Sequence, residues 1–128
     1  MPFTQADLLR ALHDCFDPQL KCNIVDLGLV ESLSLQEDLE APGRGIPGVP
    51  QKYRATVTLI PTTSDEAWQS QLAAQIENRL AGLENISGSK AVFTTTKIWT
   101  PDRISPAGRR TLGLDRPKPN QLVEIKLP

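Results

Sequence analysis

The side chains of this chain that can do chemistry fall in two short stretches. The first, Asp17-Pro18-Gln19-Leu20-Lys21-Cys22-Asn23-Ile24-Val25-Asp26-Leu27-Gly28-Leu29-Val30, brackets an apolar run with two carboxylates. Paired acids can bind a hard cation or position a group on a partner. Each also has a plainer role: Asp17 can hold the turn before Pro18, and Asp26 can accept backbone N–H bonds beside Gly28. The second stretch, Trp99-Thr100-Pro101-Asp102-Arg103-Ile104-Ser105, offers a guanidinium fork that suits a carboxylate, with Asp102 or Asp26 as the available mate. An ion pair fixing the turn is the commoner use of such an arginine. Trp99 is the kind of residue that anchors a core or an interface.

The sulfur inventory is small. His13-x-Cys15-x-Asp17, with Cys22 five residues on, matches no zinc or iron–sulfur ligand spacing. Cys15 falls on the apolar side of a helical pattern, where a thiol packs as a small hydrophobe. Cys22 is the better of the two as a metal ligand. No phosphate-cradling glycine loop, nucleotide fingerprint or catalytic-triad spacing is present.

Punctuation and periodicity say which elements must hold these residues. Phe3-Thr4-Gln5-Ala6-Asp7-Leu8 reads as a helix start with Thr4 as cap, Asp7 reciprocating and Phe3 stapling onto Leu8. Leu8, Leu9, Leu12, Cys15 and Phe16 continue it at helical spacing, and Asp17-Pro18 should end it. Residues 29–35 and 53–59 alternate as strands. The intervening residues 36–52 hold Pro42, Gly43, Gly45, Pro47, Gly48 and Pro50, which predicts a long mobile hairpin loop. A second helix should carry Trp68, Leu72, Ile76, Leu80 and Leu83 on one face, with Thr63 and Glu66 as a capping box. Residues 85–89 read as a turn and 91–99 as a third strand. Ser105-Pro106 and Gly113 frame a short third helix. Beyond Asp115-Arg116-Pro117-Lys118-Pro119, the alternation Leu122 to Leu127 predicts an extra edge strand that can pair within the chain or in a homodimer. The order α-β-β-α-β-α implies an α/β class protein, an α+β two-layer sandwich with helices on one face of a small mixed sheet.

The two stretches carry a resemblance. They are similar to the opening motif and the Trp-Thr-Pro-Asp-Arg-Met-Ser-like signature of the small iron–sulfur assembly domains that include the SufT and PaaD proteins and a eukaryotic cytosolic iron–sulfur targeting factor. The likeness spans residues 8–114, interrupted at 36–52, where the family has a shorter turn. It implies a pocket bordered by Asp17, Asp26, Ser64, Trp99, Asp102 and Arg103. It also implies a reactive cysteine in a Gly-Cys-Pro turn, whose place here aligns with Ser64. At a helix N-terminus a cysteine would be held as thiolate, ready for iron or a cluster edge. A hydroxyl is a poor ligand for such soft metals, and Ser64 or Asp65 more simply caps the helix. The family has glutamate where this chain has Gln19, which removes one further acid.

The resemblance therefore implies a non-enzymatic accessory factor in iron–sulfur cluster assembly or metalloenzyme maturation. Its partners would be assembly or client proteins, it would have no resident cofactor, and an iron–sulfur cluster would be held only transiently. The alternative is a structural subunit of a multicomponent oxygenase, as in PaaD. A hydrolase using Asp26 and Ser64 lacks a placed base. Bulk properties exclude some classes and pick no function. A chain of 128 residues suits one domain, read here as 1–114 with a tail at 115–128. A net charge of −1 favours neither nucleic acid nor an anionic membrane. No apolar run nears the roughly 20 residues of a membrane span, and the N-terminus lacks a signal-peptide pattern. A cytoplasmic address with reduced thiols is the expectation.

Overall fold

Helices packed on one face of a three-stranded mixed sheet make up the computed structural model, which describes residues 3–114. The element order is α1 (Gln5–Leu12), β1 (Val30–Glu37), β2 (Tyr53–Leu59), α2 (Glu66–Ala81), β3 (Ile86–Phe93), a 3-10 turn (Pro101–Arg103) and α3 (Pro106–Leu112). This is the α-β-β-α-β-α order that the residue patterns imply; α1 and α2 lie against the sheet, while α3 packs on the loop at Asp26. Strand β2 is central, antiparallel to β1 and parallel to β3. The parallel pair requires a crossover, and α2 supplies it.

Alternation along β2 decides which face is buried. Ala55, Val57 and Leu59 point to the helices, while Arg54, Thr56 and Thr58 face outward. Trp68, Leu72, Ile76 and Leu80, one turn apart on α2, cover that inner face and are at most 3% exposed. Leu8, Ala11 and Leu12 of α1 complete the layer. Each fully buried Leu or Ile of this kind stabilises the fold by about 1.5–3 kcal/mol. The α1 capping box forms as expected, with Thr4 accepting from the Asp7 N–H and Asp7 Oδ2 accepting from the Thr4 N–H at 2.9 Å. Ser105 caps α3, and Gly113 ends it at φ 75°.

Several boundaries differ from expectation, each for a local reason. The first helix stops at Leu12 with His13 as its cap, well before Asp17-Pro18. Cys15 and Phe16 belong to an extended segment, in which Phe16 bridges Asn23. The Gln75 amide then clamps the Phe16 backbone, accepting its N–H at 2.8 Å and donating to its carbonyl at 2.9 Å. Phe16 is accordingly 46% exposed and outside the core. Helix α2 is capped by Asp65, which accepts from the Ala67 N–H, and not by a Thr63–Glu66 box. Strand β3 begins at Ile86, inside the expected turn, and ends at Phe93, so Trp99 lies beyond it. The loop expected at 36–52 starts after Glu37 and is anchored, with Asp38 and Ala41 buried. The expected edge strand at Leu122 to Leu127 lies outside the described residues.

Candidate functional site

The two chemistry-bearing stretches meet along one seam. Asp26 Oδ2 accepts from Asn23 Nδ2 at 2.7 Å, and Oδ1 accepts from Ser105 Oγ at 2.9 Å. The Asp26 carbonyl takes the Ser105 N–H at 2.7 Å. One residue on, Trp99 Nε1 donates to the Leu27 carbonyl at 2.6 Å, and Arg103 Nε donates to the Gly28 carbonyl at 2.8 Å. Two glycines let the backbones approach this closely. Gly28 has φ 76°, and a Cβ there would sit 2.3 Å from the Arg103 carbonyl oxygen. At Gly108 of α3 a Cβ would meet the Asp26 carbonyl oxygen at 2.9 Å. Neither acid pairs with Arg103, contrary to the ion pair expected with Asp102 or Asp26. The guanidinium binds main chain, and Asp102 is exposed on the 3-10 turn.

Asp17 is 1% exposed and organises a buried turn. Its Oδ1 accepts from the Gln19 N–H at 2.7 Å, the Leu20 N–H at 3.1 Å and the Trp68 indole at 3.2 Å. Its Oδ2 has no hydrogen-bond partner within the protein. Trp68 in turn packs against Phe93 with ring centroids 5.7 Å apart and planes tilted by 50°.

Phe93 forms part of a shallow depression of about 370 Å³ at the entry to α2, which Ser64 also lines. Pro61, Thr62, Thr94, Lys97 and Ile98 complete most of its rim. Ser64 is exposed, one residue before the Asp65 cap. Lys97 is held by Glu31 of β1 at 2.6 Å, and Ile98 is 87% exposed. Of the residues singled out from sequence, the structure joins Asp26, Trp99 and Arg103 in the seam. It sets Ser64 in a separate depression and buries Asp17 beneath the first turn of α2.

This arrangement has relatives among solved structures. A domain of unknown function, DUF59, from Bacillus anthracis superposes with TM-score 0.64 at 20% identity, over 85% of this chain and 91% of that one. The fold is the DUF59 fold. A conserved hypothetical protein from Thermotoga maritima shares it with TM-score 0.59 at 26% identity, over 88% of this chain and 96% of its own. In sequence, a protein of Porphyromonas gingivalis named "Fe-S protein maturation auxiliary factor" is 24% identical over 86% of this chain and 91% of its own length. No protein-family model matches the chain. The chain thus has the DUF59 fold, and its two signature stretches resemble those of SufT/PaaD-like proteins.

Within the DUF59 fold both thiols are free and buried. Cys15 and Cys22 are fully buried, and burial pushes both above the ordinary thiol range, Cys15 to about 11. Among the described residues no three His, Cys, Asp or Glu side chains are grouped to hold a metal ion. The raised Cys15 value has a sign that can be checked. Above the ordinary pKa of 9.0 the unfolded chain releases this proton while the folded chain keeps it, so stability present below pH 9.0 is lost as pH rises toward about 11. Urea denaturation from pH 8 to 10.5 should show this decline. Cys15→Ala should flatten its slope, and an unchanged slope would mean that the thiol does not contribute.

Two residues of this surface escape a sequence reading. Ile98 follows four polar residues in a segment whose β-branched and aromatic content reads as strand, so its exposure is invisible without the end of β3. Phe93 reads as a core residue of that strand, but it is only half-buried, between Trp68 and the depression. Their signal would have been the apolar Ile98 inside a Thr/Lys run just before a turn.

Proposed function

We propose that this protein is a non-enzymatic accessory factor in iron–sulfur cluster assembly or metalloenzyme maturation. It works in the cytoplasm by contact with partner proteins and not as a thiolate carrier of the cluster. The name of the Porphyromonas gingivalis relative supports the pathway. No helix among the described residues is long and apolar enough to cross a membrane.

The observation that carries the mode of action is the entry to α2. Pro61-Thr62-Thr63-Ser64-Asp65-Glu66-Ala67-Trp68 contains no cysteine, and its N-terminal helix positions hold Asp65 and Glu66. These acids take the favourable place at the helix dipole that a thiolate would otherwise use. The residues present at the entry to α2 do not fit a resident thiolate-held cluster. A hydroxyl and carboxylates are poor ligands for soft sites, and the two thiols are buried and kept protonated. What the surface does offer is an exposed apolar side chain, Ile98, beside Phe93 and a polar rim of hydroxyls. Apolar centres rimmed by polar groups are typical of protein contacts.

A deletion strain of the native host should lose activity of its iron–sulfur enzymes. Ser64→Ala should restore it as well as the unaltered gene. Ile98→Asp should fail to do so while leaving the circular dichroism spectrum unchanged. Full complementation by Ile98→Asp, or stoichiometric iron and sulfide in anaerobically purified protein, would overturn the contact mechanism. Copurification within a fixed oxygenase complex would instead make it a structural subunit.

A further inference from the structure

None of the three helices packs on the outer face of the sheet, and that face has a positive corner. The register sets it. Arg54 of β2 stands opposite Gln36 of β1 and Gly88 of β3, and Thr56 stands between Ser34 and Lys90. Lys90 therefore shares a face with Arg54, one strand over and further along. A register shift after Ile86 turns Ser87 aside, where its hydroxyl donates to Asp38 Oδ2 at 2.7 Å, and brings Gly88 level with Arg54. Bulges of this kind re-aim side chains and are frequent beside active sites.

Gly88 is not required by the fold. Its φ is not positive, and a Cβ there would make only ordinary contact, 3.7 Å from Arg54 Nη1. What the glycine provides is a hollow of about 300 Å³, walled by Gln36, Arg54, Thr56 and Lys90. A glycine inside a strand weakens it and often marks a place where a ligand or another chain comes close. Both cations at this hollow lack a firm partner. Asp38 Oδ2 takes its short bond from Ser87, and Arg54 Nε stays 3.6 Å from that oxygen. Lys90 forms no ion pair among the described residues. No carboxylate lines the hollow.

We infer that this hollow receives a carboxylate side chain from an acidic segment of a partner protein. The planar fork of Arg54 suits a carboxylate, and Lys90 adds a point charge beside it. Phosphate sites commonly draw on nests of free backbone N–H groups. Here β2 is paired on both edges, so its amides are engaged in the ladders and only side chains are left to donate. The hydroxyls of Ser34 and Thr56 extend a polar floor for the peptide on either side of its acid. This inference rests on the accessory-factor reading for the partner being a protein, and deepens it by naming that partner's chemistry.

The test titrates the isotope-labelled full chain with hexaglutamate at low salt, where exposed charges are least screened. The Thr56, Gly88 and Lys90 amides and the Arg54 Nε signal should shift and saturate, while α2 amides stay in place. Arg54→Gln combined with Lys90→Gln should weaken binding about tenfold and leave the remaining spectrum unchanged. Gly88→Thr fills the hollow with a good strand former, so it should weaken binding without lowering the urea midpoint. The absence of a saturable shift, a shift centred elsewhere, or unaltered affinity in these variants would overturn the proposal. So would inorganic phosphate giving the same shifts at lower concentration, by assigning the hollow to a phosphate group. The accessory role fails separately, if deletion of the gene leaves iron–sulfur enzymes fully active; the titration alone decides the hollow.

Discussion

Gly28→Ala is expected to destabilise the protein by about 4 kcal/mol. Two costs act together. An alanine held at positive φ loses roughly 1–2 kcal/mol. A Cβ placed 2.3 Å from a backbone carbonyl forces a shift of the kind that costs about 1–3 kcal/mol in tightly packed sites. The atom in the way is main chain, the Arg103 carbonyl oxygen, so no rotamer change relieves it. The seam must open, and with it the Trp99–Leu27 and Arg103–Gly28 bonds. Gly45 supplies the control: it has φ 82° and nothing within 4 Å of its would-be Cβ, so Gly45→Ala should cost only about 1 kcal/mol. Urea midpoints of the two variants separate conformational strain from collision. Equal midpoints would mean that the seam yields easily and does not hold the two stretches together.

Asp17→Ala should have a comparable effect by a different route. Three donors, the Gln19 and Leu20 amides and the Trp68 indole, share Oδ1 in a site that is 1% exposed. Removing the acceptor leaves them unsatisfied, at about 1–3 kcal/mol for a buried group and with incomplete additivity, so a loss of about 4 kcal/mol is expected. Asp17→Asn keeps the Oδ1 acceptor and alters only the oxygen that has no protein partner. Its cost should be near 1 kcal/mol. The ordering Asn milder than Ala in thermal or urea melts is the decisive result. If the two variants melt alike, the three hydrogen bonds are not what holds this turn.

These two residues also show how far the sequence can be read. Asp17 is visible because proline follows it, and the turn-holding role offered for it is the one found. Gly28 is legible as a break before a strand, yet its reason, a carbonyl arriving from 75 residues away, is not. Arg103 illustrates the limit from the other side. Its chemistry suggests a carboxylate mate, and Asp102 is its neighbour in the chain, but the guanidinium instead donates to the backbone carbonyl of Gly28. The first helix misleads for a related reason. Cys15 and Phe16 keep helical spacing by coincidence, and the Gln75 amide, far along the chain, claims the Phe16 backbone as strand-like.

Local chemistry alone determined the element order, the buried face of β2, the α2 stripe, the caps at Thr4 and Ser105, and the absence of a cysteine at the entry to α2. All of these depend on neighbours within a turn or two, or on alternation, which the linear chain records directly. Only the tertiary structure decided that Asp26, Trp99 and Arg103 share one seam, that Asp17 is sealed beneath Trp68, and that Ile98 stands exposed beside Ser64. Those outcomes depend on which distant backbone groups approach closely enough to be satisfied, and hydrogen bonds of that range leave no periodic trace in a sequence.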